Sequence, residues 1–281
     1  MSKKNIVWLA SYPKSGNTWF RVFLTNLLNE KAEPAHINDL TETSISSSRK
    51  IFDDYTGLSS SDLSFDEIDK LRPDVYRMQS DESAELLFKK VHDKFYWVNN
   101  QQPLFPPEVS FGAIYFIRNP LDVLVSFAHH SSKSIDKMVK TMNNSDFAFC
   151  EKDDMLQNQL RQQIGSWSDH VKGWTGQTII SLKVLRYEDM ILDTFNTFKA
   201  AVQFLKINKN DQQINAAIQK SDFKILTQQE KENGFKEKLI KSESFFRKGQ
   251  IGDWQNALNK MQCDEIIEKN REIMTKFGYL S

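Results

Sequence analysis

Cysteine is nearly missing from this sequence: Cys150 and Cys263 are the two among 281 residues. They lie far apart and match no metal or redox spacing. That excludes a disulfide scaffold and a zinc module, and predicts a cytoplasmic protein with free thiols. A surplus of either charge is missing too, since 37 Lys and Arg balance 37 Asp and Glu. No global field draws nucleic acid or an anionic membrane, so any anion site must be local. Long apolar runs are absent. The run that follows Met1-Ser2-Lys3-Lys4 spans only about six residues before Pro13, too short for a signal peptide or a membrane span. No internal repeat and no linker divides the chain, so one domain over residues 1–281 is expected. The 20 Phe and 6 Trp supply a sizeable core.

What is there begins with Trp8-Leu9-Ala10-Ser11-Tyr12-Pro13-Lys14-Ser15-Gly16-Asn17-Thr18-Trp19. Asn5 to Ser11 is a short apolar run with β-branched Ile6 and Val7, which predicts a buried strand. Pro13 and Gly16 break regular structure. Thr18 to Leu28 is apolar at helical spacing. A strand that turns tightly into a helix makes an anion site, because the first N–H groups of the helix lack partners and its dipole is positive there. Lys14 adds a charge, Ser15 and Thr18 add hydroxyls, and Gly16 lets the backbone approach an oxyanion. An ordinary strand-turn-helix with a surface lysine is the plainer alternative. The Walker order GxxxxGK[ST] is absent, since Lys14 precedes the glycine.

Further along, residues 32–83 are polar and serine-rich, and predict surface loops with a short helix at Asp62 to Leu71. Leu86 to His92 reads as a strand whose period of two puts Lys90 and His92 on one face; an edge strand with solvated lysines competes. Ala113 to Ile117 is another buried strand. Arg118 ends it, Asn119 can cap the next helix, Pro120 suits the first helical position, and Ser126 lies two turns in. A magnesium-dependent NTPase would place an Asp at this strand end. An Arg118–Asp122 ion pair is the local alternative. His129 and His130 read as rim residues without a carboxylate partner at metal spacing. Asp154 to Thr175 predicts a long amphipathic helix, and Thr178 to Tyr187 a strand. Asp193 to Leu205, Asp211 to Ser221 and Leu258 to Phe277 predict helices. Gln228 to Ser244 is charged, little patterned, and predicts a mobile loop. Arg247-Lys248-Gly249 suits a loop wrapped round an anion. Strands alternating with helices argue for an α/β fold with a mostly parallel sheet flanked by helices.

Seven short runs, in order, resemble the sulfotransferases that use 3′-phosphoadenosine 5′-phosphosulfate (PAPS). PKSGNTW is similar to their 5′-phosphosulfate loop PKSGTTW, with Asn17 the one departure. LLFKKVH resembles the strand written KTH, with Val91 in place of threonine. RNPLDVLVS resembles the 3′-phosphate motif, and RKGQIGDW the signature RKGxxGDW. GSWSDHVKGW, the YED at Tyr187 and the SDF at Ser221 add shorter matches. The resemblance implies a fold like that of P-loop nucleotide kinases. It implies sulfuryl transfer from PAPS to a hydroxyl or amine, with adenosine 3′,5′-bisphosphate (PAP) as product and no metal. It makes His92 the base, with Lys14 and Lys90 catalytic. It assigns Lys14, Ser15, Gly16, Asn17, Thr18 and Trp19 to the 5′ end and adenine. It gives Arg118, Ser126, Arg247, Lys248 and Gly249 to the 3′-phosphate, and Tyr187, Ser221 and Phe223 to the nucleoside. Phe95, Tyr96 and Trp97 hint at an apolar or aromatic small-molecule acceptor. The dimerisation run KxxxTVxxxE is not recognisable after Trp254, so no oligomeric state is assigned. A small-molecule kinase and a non-catalytic nucleotide-binding protein are the competing classes.

Overall fold

The computed structural model describes residues 3–40, 42–99, 101–152 and 154–280. Met1 and Ser2, which precede the run read as too short for a signal peptide, lie outside them. Its strands are β1 (Ile6–Ser11), β2 (Thr43–Ile45), β3 (Leu87–Val91), β4 (Trp97–Val98), β5 (Gln102–Pro103), β6 (Ser110–Ile117), β7 (Ala148–Phe149), β8 (Gln162–Gln163) and β9 (Leu182–Arg186). Five form a sheet in the order β2-β3-β1-β6-β9, parallel at every pairing. β4 with β5 and β7 with β8 make small antiparallel ribbons. The helices are α1 (Asn17–Asn29), α2 (Arg49–Thr56), α3 (Phe65–Glu82), α4 (Pro120–Ser131), α5 (Ile135–Met142) and α6 (Trp167–Gly176), then α7 (Tyr187–Leu192), α8 (Thr194–Phe204), α9 (Asp211–Lys220), α10 (Phe223–Asn233), α11 (Trp254–Ala257) and α12 (Lys260–Lys276).

β1 explains the layering. All six of its residues are buried, as a central parallel strand requires. Ile6, Trp8 and Ala10 join one core with α3, α4, α5, α6 and α12. Val7 and Leu9, on the other face, join a second core with α1, α7, α8 and α9. The result is a parallel α/β sheet with helices on both faces. Among the described residues, no helix is long and apolar enough to cross a membrane.

The structure departs from five of these expectations. The short helix at 62–71 is the start of α3, which has 18 residues and a Ser64–Glu67 capping box. Pro73 removes an N–H inside it, which makes the sequence read as a helix end; Val75 and Tyr76, buried beyond the proline, carry the helix through by packing. The helix expected over 154–175 starts only at Trp167, because Gly165 takes a left-handed φ of 70° and Ser166 caps the next turn. Leu156 before it is exposed, while Leu160 packs under α2 and α3. β9 stops at Arg186, so Tyr187 opens α7. The first part of the expected 228–244 loop belongs to α10. β3 is also not an edge strand, since β2 pairs along it.

Candidate active site

The carboxyl ends of β1, β3, β6 and β9 open on one side, where ligands bind in open parallel sheets. Residues at or just past these ends line a cavity of about 1080 Å³: Lys14, His92, Arg118 and Tyr187. Ser15, Gly16, Asn17, Thr18, Trp19 and Lys90 line it too, with Ser126, Phe223, Arg247, Lys248 and Gly249. Ser221 does not. It is fully buried at the end of α9, where its hydroxyl donates to the Ala217 carbonyl (2.7 Å) and accepts from Asn26 (3.1 Å). Its carbonyl instead receives the Trp19 indole N–H at 3.0 Å.

The turn after β1 takes left-handed φ at Lys14 (70°) and Gly16 (99°). A Cβ at Gly16 would stand 2.8 Å from the Tyr187 ring, so glycine is needed there on two counts. Gly16 precedes α1 without a side-chain cap. The N–H groups of the first turn therefore face the cavity with no capping acceptor. The Asn17 amide is spent locally, donating to the Leu9 carbonyl (2.7 Å) and Ser11 Oγ (3.2 Å). The hydroxyl of Ser15 is buried without a partner among the described residues.

His92 follows β3. Its Nδ1 lies 2.9 Å from the Ser11 carbonyl, which only accepts, so Nδ1 carries the proton and Nε2 is left as an acceptor. Burial, then the charge of Lys90, lowers its pKa to about 3. The flanking backbone is clamped. His170 Nε2 donates to the His92 carbonyl (3.1 Å), and the Trp174 indole to the Asp93 carbonyl (3.0 Å). Arg72 of α3 holds the buried Asp93 carboxylate with two hydrogen bonds, at 2.7 and 3.1 Å.

The cations converge from distant segments. Lys14 Nζ sits 3.6 Å over the Phe245 ring, and burial, then Arg118 and Lys90, lowers its pKa to about 7. Lys90 Nζ is 2.8 Å from Glu237. Arg118 donates to the carbonyls of Lys14 (3.1 Å) and Gln250 (2.9 Å), lies over the Tyr187 ring, and has a buried, unpartnered Nε. Asp122 is not its partner; that carboxylate accepts from the N–H groups of Gly252 (2.8 Å) and Trp254 (3.1 Å). Glu230 accepts from Phe245 and Phe246 N–H in the same way. Arg247 and Lys248 both pair with Asp253. The loop at 247–249 is thus shaped by three carboxylates, and its two cations share one of them, Asp253, which leaves a net positive charge. Asn119 caps α4 and Pro120 opens it, as expected.

Phe127, Phe147, Phe149, Phe235 and Phe245 line the rest of the cavity, with His130 edge-on to Phe245. Phe95, Tyr96 and Trp97 do not line it: Phe95 packs in the first core, and Trp97 is exposed. Five phenylalanines, Arg21 and Glu237 are therefore cavity residues that the sequence did not single out. Phe127 had a signal, being apolar on the helix that follows Arg118; Arg21 is a cation on the apolar-periodic α1, and the others come from segments without periodicity.

A parallel α/β sheet with an anion loop, a neutral imidazole and clustered cations at its carboxyl edge defines a group-transfer enzyme acting on an anionic donor. A model of the sulfotransferase domain matches residues 4–278. The chain belongs to that family, and it is a sulfotransferase. Sulfotransferase 2A6 of Rattus norvegicus is 25% identical over 285 residues, covering 98% of this chain and 86% of its own. The fold is similar to that of mouse sulfotransferase SULT7A1 complexed with PAP (TM-score 0.60, 20% identity, 97% and 85% of the two chains). It is also similar to retinol dehydratase in complex with androsterone and PAP (TM-score 0.65, 17% identity, 97% and 81%).

Proposed function

We propose that this sulfotransferase takes the sulfuryl group of PAPS and passes it in line to a hydroxyl or amine of a small apolar or aromatic acceptor, with His92 as the base and without metal. The observation that carries the reading is the His92 hydrogen bond to Ser11, which leaves Nε2 an unprotonated acceptor on a side chain that lines the cavity. The residues present fit such a donor. Ser15 Oγ and Arg118 Nε are buried polar atoms without partners, next to an uncapped helix start. PAPS supplies an activated sulfuryl group on an anionic leaving group.

In this reading His92 removes the acceptor proton, a role worth about 10²–10⁴ in rate. Lys14 and the N–H groups after Gly16 meet the charge that builds at the 5′ end; one such donor is worth roughly 3–4 kcal/mol. Arg118, Ser126, Arg247 and Lys248 hold the 3′-phosphate, Gly249 lets the loop close, and Trp19, Tyr187 and Phe223 flank the nucleoside. Arg118, at the strand end where an NTPase keeps a metal-binding Asp, supports metal independence. The phenylalanine lining supports an apolar acceptor. Half-buried free thiols at Cys150 and Cys263 support a cytoplasmic setting. Incubation with radiolabelled PAPS and pools of phenols, alcohols and amines tests the reading. Label should move to an apolar hydroxyl or amine in the presence of EDTA. Activity abolished by EDTA and restored by magnesium, or PAP that does not bind, would overturn it.

A further inference from the structure

A second carboxylate, besides Asp253, reaches in among the cations of this cavity. Glu237 belongs to the segment after α10 and is about a quarter exposed, at 26%. One oxygen lies 2.7 Å from Arg21 Nη1 and the other 2.8 Å from Lys90 Nζ. Arg21 is a fixed post. It is buried on α1, and its Nε and Nη2 are bound to the hydroxyl (2.9 Å) and carbonyl (3.1 Å) of Thr43 in β2. Lys90 is different. A lysine side chain carries about 2 kcal/mol of rotamer entropy, so something must select one placement. Glu237 ties it to the post.

The charges facing Lys90 are otherwise hostile. Arg21 approaches from α1 and Lys14 from the anion loop, while the rings of His92, at the end of β3, and His130, on α4, are neutral and offset neither. Glu237 is the carboxylate that opposes them. Burial raises the Glu237 carboxyl, but Lys90 and Arg21 hold it well below the ordinary range, so it stays charged.

We propose that Glu237 is a positioning residue for sulfuryl transfer, holding the Lys90 side chain beside His92 and keeping it an ammonium. An ammonium has three N–H donors and no lone pair, so with one spent on Glu237 two remain for the oxygens of a group in transfer. Its charge is also, after burial, what keeps the His92 ring neutral. Burial alone drives Lys90 the other way, and Glu237 is the largest influence against it. The inference rests on Lys90 facing the transferred group, as in the proposed function.

The test reads Lys90 in the protein without donor. Lysine side chains labelled with ¹³C and ¹⁵N are titrated by NMR in the wild type and in Glu237→Gln, with Lys90 assigned as the signal missing from Lys90→Arg. The ammonium-to-amine midpoint of Lys90 should move to lower pH in Glu237→Gln. Should that variant melt below the working temperature, Glu237→Asp is read instead, where a shortened reach gives a smaller shift in the same direction. A wild-type midpoint in whichever variant folds overturns the proposal. PAP binding is measured alongside. PAP lacks the sulfuryl group, so its Kd should change by less than about threefold in the variant. A larger loss would make Glu237 a general support of the donor site and overturn the specific role. A wild type that does not bind PAP would overturn the donor site itself, while the Lys90 titration still judges the pairing with Glu237.

Discussion

The ring of His92 offers a substrate one nitrogen, because Ser11 has taken the other. His92→Ala should therefore lower turnover about a hundredfold or more while PAP binding stays near wild type, read by steady-state kinetics and calorimetry. The pH dependence follows from the same residue. The working form is neutral and is lost only as pH falls through the folded pKa of about 3. A profile of kcat/KM should show no acid limb from His92 near its ordinary value; such a limb, absent from His92→Gln, would refute this. Lys14 behaves oppositely. With its pKa lowered to about 7, it sheds charge as pH rises through neutrality. A bound anion favours the charged form, so PAP binding above neutral pH should take up protons. Calorimetry in buffers of different ionisation heat would reveal the uptake, and Lys14→Arg should abolish it.

At the scale of elements, the site is built from strand ends and the loops after them, and this decides what was readable. The anion loop, Arg118-Asn119-Pro120 and the 247–249 loop each carry their chemistry within a few residues, so their sequences announce it. Glu237, Arg21 and the cavity phenylalanines do not, because only folding brings Glu237 to a lysine 147 positions earlier. Pro73 masked the length of α3, and Gly165 interrupted a spacing that otherwise read as helix. The 247–249 loop shows a limit of local reasoning. Its adjacent cations suggest a loop held open by repulsion until nucleotide arrives, yet Asp253 pairs with both. A 3′-phosphate must therefore compete with that carboxylate. Arg247→Ala should still weaken PAP about ten- to a hundredfold, since charge-assisted hydrogen bonds are worth roughly 1.5–3 kcal/mol. Adenosine 5′-phosphate, which lacks the 3′ group, should bind wild type and variant alike. Equal losses for both nucleotides would place Arg247 in support of the fold.

For the whole molecule, the donor cavity ties together segments from residue 14 to residue 250, so occupying it should steady the entire fold. At a hundred times its Kd, PAP should add about 2.7 kcal/mol, a rise of several degrees in Tm by scanning fluorimetry. ATP with magnesium, lacking the 3′-phosphate, should leave Tm nearly unchanged; an equal rise would favour a kinase. The sheet order has a consequence of another kind. β1 is made before both β3 and β6, yet it lies between them. β6 is complete only at Ile117. A ribosome adding roughly 5–20 residues each second needs about 5–20 s to cover that distance. Until Val91 completes β3 the nascent chain carries Ile6–Ser11, six residues destined for full burial, with neither neighbour to pair with, and from then until Ile117 it has only one. Of these three strands β1 is thus the one most in need of shelter during synthesis.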